Sequence, residues 1–183
     1  MVAWRRSDEG TGHSAARVAR RPRGWLCHGT EVLVAAPDTL VSCSFRVELD
    51  DAWATRAVEV TTVSADGERR LTLTADDDRR WSRDGRRAPD LDGCVDVDVA
   101  ATPLTNTFPI RRLTSLAVGE AVTSPVAWVD VPALGVTRVD QTYRRLDRLR
   151  WQYSDDTHGT FVLTVDDDGL VVDYEGFATR IAG

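Results

Sequence analysis

No run of about 18 apolar residues occurs in this chain of 183 residues, so no segment is long enough to cross a bilayer as a helix. Met1 to Thr30 carries several arginines but no continuous apolar stretch, so no secretory signal is read there. Cysteine is scarce. Cys27, Cys43 and Cys94 are an odd number without CxxC spacing, which points to reduced, buried thiols in a cytoplasmic protein and away from a disulfide framework. His13, His28 and His158 are not spaced as a local zinc motif, and no metal or other cofactor is expected. Net positive charge is missing too. A formal charge of −6 argues against a nucleic-acid surface or an anionic membrane as partner. Cys27 beside His28 is a formal nucleophile-base pair, but neighbours on a strand point to opposite faces.

The period that is present is two. Leu40 to Leu49 places Val41, Cys43, Phe45 and Val47 on one face. Ala65-Asp66-Gly67 separates two β-rich runs as a hairpin turn, and Asp84-Gly85 and Asp167-Asp168-Gly169 read as further turns. Val136 to Tyr143 sets Val139, Gln141 and Tyr143 together, and Leu149, Trp151 and Tyr153 share a face opposite Arg148, Arg150 and Gln152. A short helical turn is expected from Ile110 to Leu116, stopped by Gly119. About ten strand candidates, little helix and no internal repeat predict a mainly β, largely antiparallel protein. Residues 1–12 read as a flexible leader and 13–183 as a single domain, with room for an independent core.

The chemistry concentrates in LDGCVDVDVAATPLTNTFPIRRL, Leu91 to Leu113. Asp96 and Asp98 lie two apart on a strand and so face the same way. Such a pair can bind a cation, work as acid and base, hold hydroxyls, or make a structural ion-pair network with Arg111 and Arg112. Asn106, between Pro103 and Pro109, suits a tight loop or a hydroxyl-rich ligand. The arginines suit a bidentate grip on a carboxylate or phosphate, or ordinary ion pairs. Arg144 to Arg150 reads as a solvated face. The runs Asp76 to Asp78 and Asp166 to Asp168 lack the twelve-residue calcium-loop pattern and read as polar turns. The tryptophans at 25, 53, 81, 128 and 151 are expected mainly in the core, although such rings also line apolar grooves.

Read whole, this stretch resembles the signature of the bacterial proteins described as putative glycolipid-binding. RVELDDAW at Arg46 to Trp53, RRWSRDG at Arg79 to Gly85 and GLVVDYEGFATR at Gly169 to Arg180 agree with it, as does Gly29-Thr30-Glu31 after Trp25. The resemblance implies a single curved antiparallel sheet, a half-barrel similar to lipoprotein carriers, that holds a ligand on its concave side. It carries no catalytic residues with it. The expected function is therefore non-enzymatic binding of a glycolipid or similar amphiphile. Trp81, Gln141, Tyr143, Trp151 and Tyr153 would join Asp96, Asp98, Asn106, Arg111 and Arg112 as ligand contacts. Two alternatives stay open: an enzyme on a small amphiphilic metabolite with an aspartate as acid or base, and a structural or protein-interaction domain. Homodimerisation through a sheet edge is a further expectation.

Overall fold

A computed structural model describes residues 1–7, 12–35, 39–100 and 102–183. The first run of strands is β1 (Val2–Arg6), β2 (Gly12–Arg20), β3 (Trp25–Ala35), β4 (Thr39–Leu49), β5 (Thr55–Ser64), β6 (Gly67–Ala75), β7 (Trp81–Arg83) and β8 (Arg86–Arg87). The second begins with β9 (Asp96–Val99). A crossover then carries a 3-10 turn (Pro103–Asn106) and the helix α1 (Thr107–Arg112). After it come β10 (Ala121–Val129), β11 (Val136–Arg145), β12 (Arg150–Asp155), β13 (Gly159–Val165), β14 (Val171–Tyr174) and β15 (Ala178–Ala182).

Strands adjacent in sequence pair within each run, and β15 pairs with β1, so the two runs join into one sheet from edge β8 to edge β9. Every pairing is antiparallel except β9 with β10, which is parallel. A parallel pair needs a long crossover rather than a hairpin. That requirement is what makes room for the 3-10 turn and α1 beside the core. α1 starts earlier than the expected Ile110, because Pro109 falls in its first turn, where a missing N–H goes unnoticed.

The expectation of a half-barrel of about ten strands does not hold. Among the described residues the sheet has fifteen strands and two free ends, and it is not wholly antiparallel. The count rose because several strands are too short to show a period: β8 has two residues and β7 three. Others hide theirs, as in β2, where the buried positions include Ser14 and Ala16 instead of large apolar residues. The N-terminal segment, expected as a leader, shows only two points of a period, Val2 and Trp4. Residues 8–11 of the expected leader lie outside the described residues, but Val2–Arg6 form β1 between β2 and β15. Trp4 is fully buried there, and its indole N–H donates to the Val171 carbonyl at 2.8 Å.

One core cluster draws on both runs: Phe45, Val47, Val58 and Trp81 pack with Val97, Val99, Leu104 and Phe108. The alternation expected in β4 holds, with Val41, Cys43, Phe45, Val47 and Leu49 all buried. Gly29 faces the Phe45 ring across the β3–β4 ladder, and a Cβ there would come within 2.0 Å of it. The three cysteines are free and buried. Burial pushes Cys27 up to about 12, and Cys27 and His28 lie on opposite faces, one buried and one exposed, so they form no reactive pair. The two edges are short of free backbone. β8 is two arginines long, and on the β9 side the Thr55 hydroxyl accepts the Val97 amide while the Thr55 amide donates to the Val95 carbonyl.

Candidate functional site

Asp96 and Asp98 share a face of β9 as their spacing requires, but they meet different partners. Arg112, from the end of α1, grips Asp96 with two nearly parallel hydrogen bonds of 2.6 and 2.5 Å. Burial pushes the Asp96 carboxyl up and the Arg112 hydrogen bonds pull it back. Burial also works against the guanidinium, yet Asp96 outweighs it and holds Arg112 above its ordinary value. This pair closes on itself. Asp98 meets no arginine. It accepts the Thr105 hydroxyl at 2.7 Å on one oxygen and the Gln141 amide at 2.6 Å on the other. Burial raises its carboxyl, against those two hydrogen bonds.

From Asp98 a chain of polar groups runs across β11 and β12. Gln141 Nε2 also donates to the Tyr153 hydroxyl at 3.0 Å, and that hydroxyl donates to Asp155. Asp155 further accepts the backbone amides of Thr157 and His158 at 2.8 and 2.6 Å, and Nδ1 of His158 lies 3.0 Å from it. Burial would raise Asp155, but the phenol, the amides and the imidazole together hold it below the usual carboxylate value. In a neutral imidazole, an ionised Asp155 places the ring proton on Nδ1 and leaves Nε2 as an acceptor. Asn106 donates to the Tyr143 hydroxyl at 2.7 Å. Burial first, and the nearby Asp98 charge second, raise Tyr143, Tyr153 and Tyr174, so all three phenols stay neutral.

These groups border a cavity of about 540 Å³. Its polar side is made by Asp98, Thr102, Asn106 and His158, with Arg6 lying over the Phe177 ring at 4.9 Å. Trp128, Tyr153, Phe161, Tyr174 and Phe177 make the aromatic side. Trp128 leans on His158 at 5.3 Å, and Phe161 and Tyr174 meet edge-on at 5.6 Å. Behind Thr102 and Arg6 lies Glu31 of β3, 0% exposed, with no well-formed hydrogen bond to either carboxyl oxygen. Burial lifts it to about 8, even with Thr102, Ser14 and Arg6 close enough to pull it down.

Of the ten residues expected to contact a ligand, Asp98, Asn106 and Tyr153 line this cavity. Gln141 and Tyr143 stand directly behind them through hydrogen bonds. Asp96 and Arg112 form the closed ion pair. Arg111 lies elsewhere, 5.0 Å over the Trp53 ring. Trp81 is a core residue whose indole N–H donates to the Cys94 carbonyl at 3.0 Å. Trp151 is buried in a second core cluster with Ile110 and Leu163, beneath Arg145. Sequence reasoning passed over Asp155, His158, Phe161, Tyr174 and Phe177. The pattern Asp-x-x-His at 155 and 158 is their one local signal, because a turn carboxylate can reach an imidazole three residues on.

The chain matches the family described as putative glycolipid-binding over residues 1–180. It belongs to that family. A crystal structure of a DUF1089-family protein from Pseudomonas aeruginosa is similar to this glycolipid-binding-family chain, at 31% identity with a TM-score of 0.83 and 92% of each chain covered. No curated protein matches it. Among the described residues of this family member, no group of three or more His, Cys, Asp or Glu side chains could hold a metal ion. No helix among them is long and apolar enough to span a membrane.

Proposed function

We propose that this protein binds a glycolipid or a similar amphiphile, without chemical conversion, in the cavity between Asp98 and Phe161. The carrying observation is the cavity's division into a polar side and an aromatic side within one space of about 540 Å³. Sugar hydroxyls both donate and accept. Asp98 has lone pairs beyond its two donors, and Thr102, Asn106 and His158 add further polar atoms on the same side. Aromatic rings suit the apolar face of a sugar ring or the start of an alkyl chain.

Octyl β-glucoside below its micelle concentration is a suitable probe, titrated by calorimetry. Saturable binding is expected, with free glucose much weaker and Phe161→Ala and His158→Ala each costing roughly tenfold. Absence of saturable binding by octyl and dodecyl glycosides alike, together with native mass spectra of gently purified protein free of lipid, would sink this reading.

A second reading has an observation in its favour. The Asp155–His158 pair has the orienter-and-base arrangement of acid-base enzymes, and Asp98, raised by burial, lines the same cavity. Release of octanol from octyl glucoside by the wild type, and not by His158→Ala, would favour it over simple binding.

A further inference from the structure

A second cavity, of about 260 Å³, lies between β1, β2, β3 and the crossover segment, and two buried polar atoms on its lining residues have no hydrogen-bond partner. One is the hydroxyl of Thr107, a residue 0% exposed; the other is the indole N–H of Trp25. Buried polar groups are nearly always paired, so two orphans on one cavity call for a partner that the chain itself does not supply. An indole N–H can only donate. Whatever answers it is an acceptor.

Arg111 lines the same cavity, with its guanidinium over the Trp53 ring. It spends a hydrogen bond of 3.2 Å on the Asp168 carbonyl, and the Asp168 carboxylate is 4.0 Å away and largely exposed. A guanidinium carries five donors, so donor capacity remains beside the two orphans. Asp168 also lines it, with a carboxylate that is largely exposed to solvent, and the rest of the wall is apolar: Met1, Val2, Ala16, Val18 and Leu170. Trp25 and Trp53 stack at 4.4 Å along it. An acceptor that matches positive charge is an anion, and apolar walls require an apolar body behind it.

We infer that this second cavity binds a small monocarboxylate with an apolar chain, its carboxylate held by Trp25, Thr107 and Arg111. Size sets the length. An apolar cavity of about 150 Å³ holds a benzene ring, so one of about 260 Å³ takes roughly ten heavy atoms by the same ratio. Octanoate has that size. The inference concerns a different cavity from the one proposed for the glycolipid and does not depend on it.

The test is calorimetric titration of the full-length protein with octanoate and with its neutral isostere octanamide. Octanoate is expected to saturate at one equivalent and octanamide to bind at least about tenfold more weakly. Thr107→Val keeps the shape of its side chain and removes the hydroxyl, while Trp25→Phe removes the indole N–H together with one of the two rings. Each is expected to weaken octanoate by roughly tenfold. Thr107→Val removes an unpaired buried hydroxyl, so its melting temperature is expected to stay level or rise, which keeps the binding result interpretable. Saturating octyl glucoside is expected not to displace octanoate. The inference is overturned if octanoate does not saturate, if octanamide binds equally well, if both variants bind octanoate like the wild type, or if octyl glucoside competes it off. The last result would leave the glycolipid reading standing and place both probes in the first cavity.

Discussion

Asp96 and Asp98 are the same residue type on the same face of the same short strand, yet they belong to two different regions. The Asp96 region is finished: a bidentate arginine satisfies the carboxylate, and the residue is 2% exposed. The Asp98 region is unfinished. Its carboxylate has only neutral donors, borders open space, and connects through Gln141 and Tyr153 to the Asp155–His158 pair. Carboxylate pairs are thus poor evidence of a site until their partners are known. A charge that is fully paired stabilises the fold; one held by neutral donors beside a cavity has capacity left for a ligand.

The strongest way to break this contrast is to remove the partner on the finished side. Arg112→Ala leaves Asp96 as a buried, unpaired charge, and such losses cost about 3–5 kcal/mol. Chemical denaturation is expected to show that loss, with octyl glucoside affinity little changed in whatever protein remains folded. A small loss of stability together with a large loss of binding would merge the two regions into one site.

Glu31 sharpens the contrast by pH, since it is a buried carboxyl with no well-formed hydrogen bond although Thr102, Ser14 and Arg6 lie near it. Its folded value, about 8, stands above the ordinary value of 4.5. Between those values the folded protein keeps a proton that the unfolded chain has released. Folding is therefore favoured most at the acid end of the window, and the contribution is lost as pH rises through it. The slope is at most about 1.4 kcal/mol per pH unit. Glu31→Gln is expected to flatten that decline in urea titrations from pH 5 to pH 8. An unchanged slope would mean that Glu31 is ionised in the folded protein and that a partner reaches it.

The smallest stability effect is expected on the unfinished side. Asp98→Asn gives up one of two accepted hydrogen bonds but removes the burial of a charge, so stability is expected to move by no more than about 1 kcal/mol. Octyl glucoside binding should nevertheless fall by roughly tenfold. A melting temperature that drops as far as that of Arg112→Ala would show that Asp98 is as structural as Asp96.

Much of the sheet was legible in the chain because a strand declares itself through a two-residue period. β4, β11 and β12 were readable on that ground, with Val41, Gln141 and Trp151 each buried on the expected face. The polar runs at Asp76 and Asp166 were readable as turns, and Asp166 does accept the amides of Asp168 and Leu170. β2 was not legible, because Ala, Ser and Arg alternate too weakly to mark a face, and β1 was not, because Val2 and Trp4 are only two points of a period. The candidate site was half legible. Asp98, Asn106 and Tyr153 stood out as polar or aromatic residues beside strand patterns, whereas Trp81 and Trp151 stood out equally and went to the core.

Local alternation, the tight turns, the buried thiols and membership of the family are all written in the order of residues along the chain. Each of these depends on residues within a few positions of one another or on a motif read as a string. Folding in three dimensions is what brings Arg112 back to Asp96, joins β9 to the sheet in parallel, and sets Asp98 and His158 on one cavity and Thr107 and Trp25 on another. Those facts depend on register between distant strands and on which residues the crossover between β9 and β10 carries into the core. A period of two specifies a face; it does not specify the neighbour.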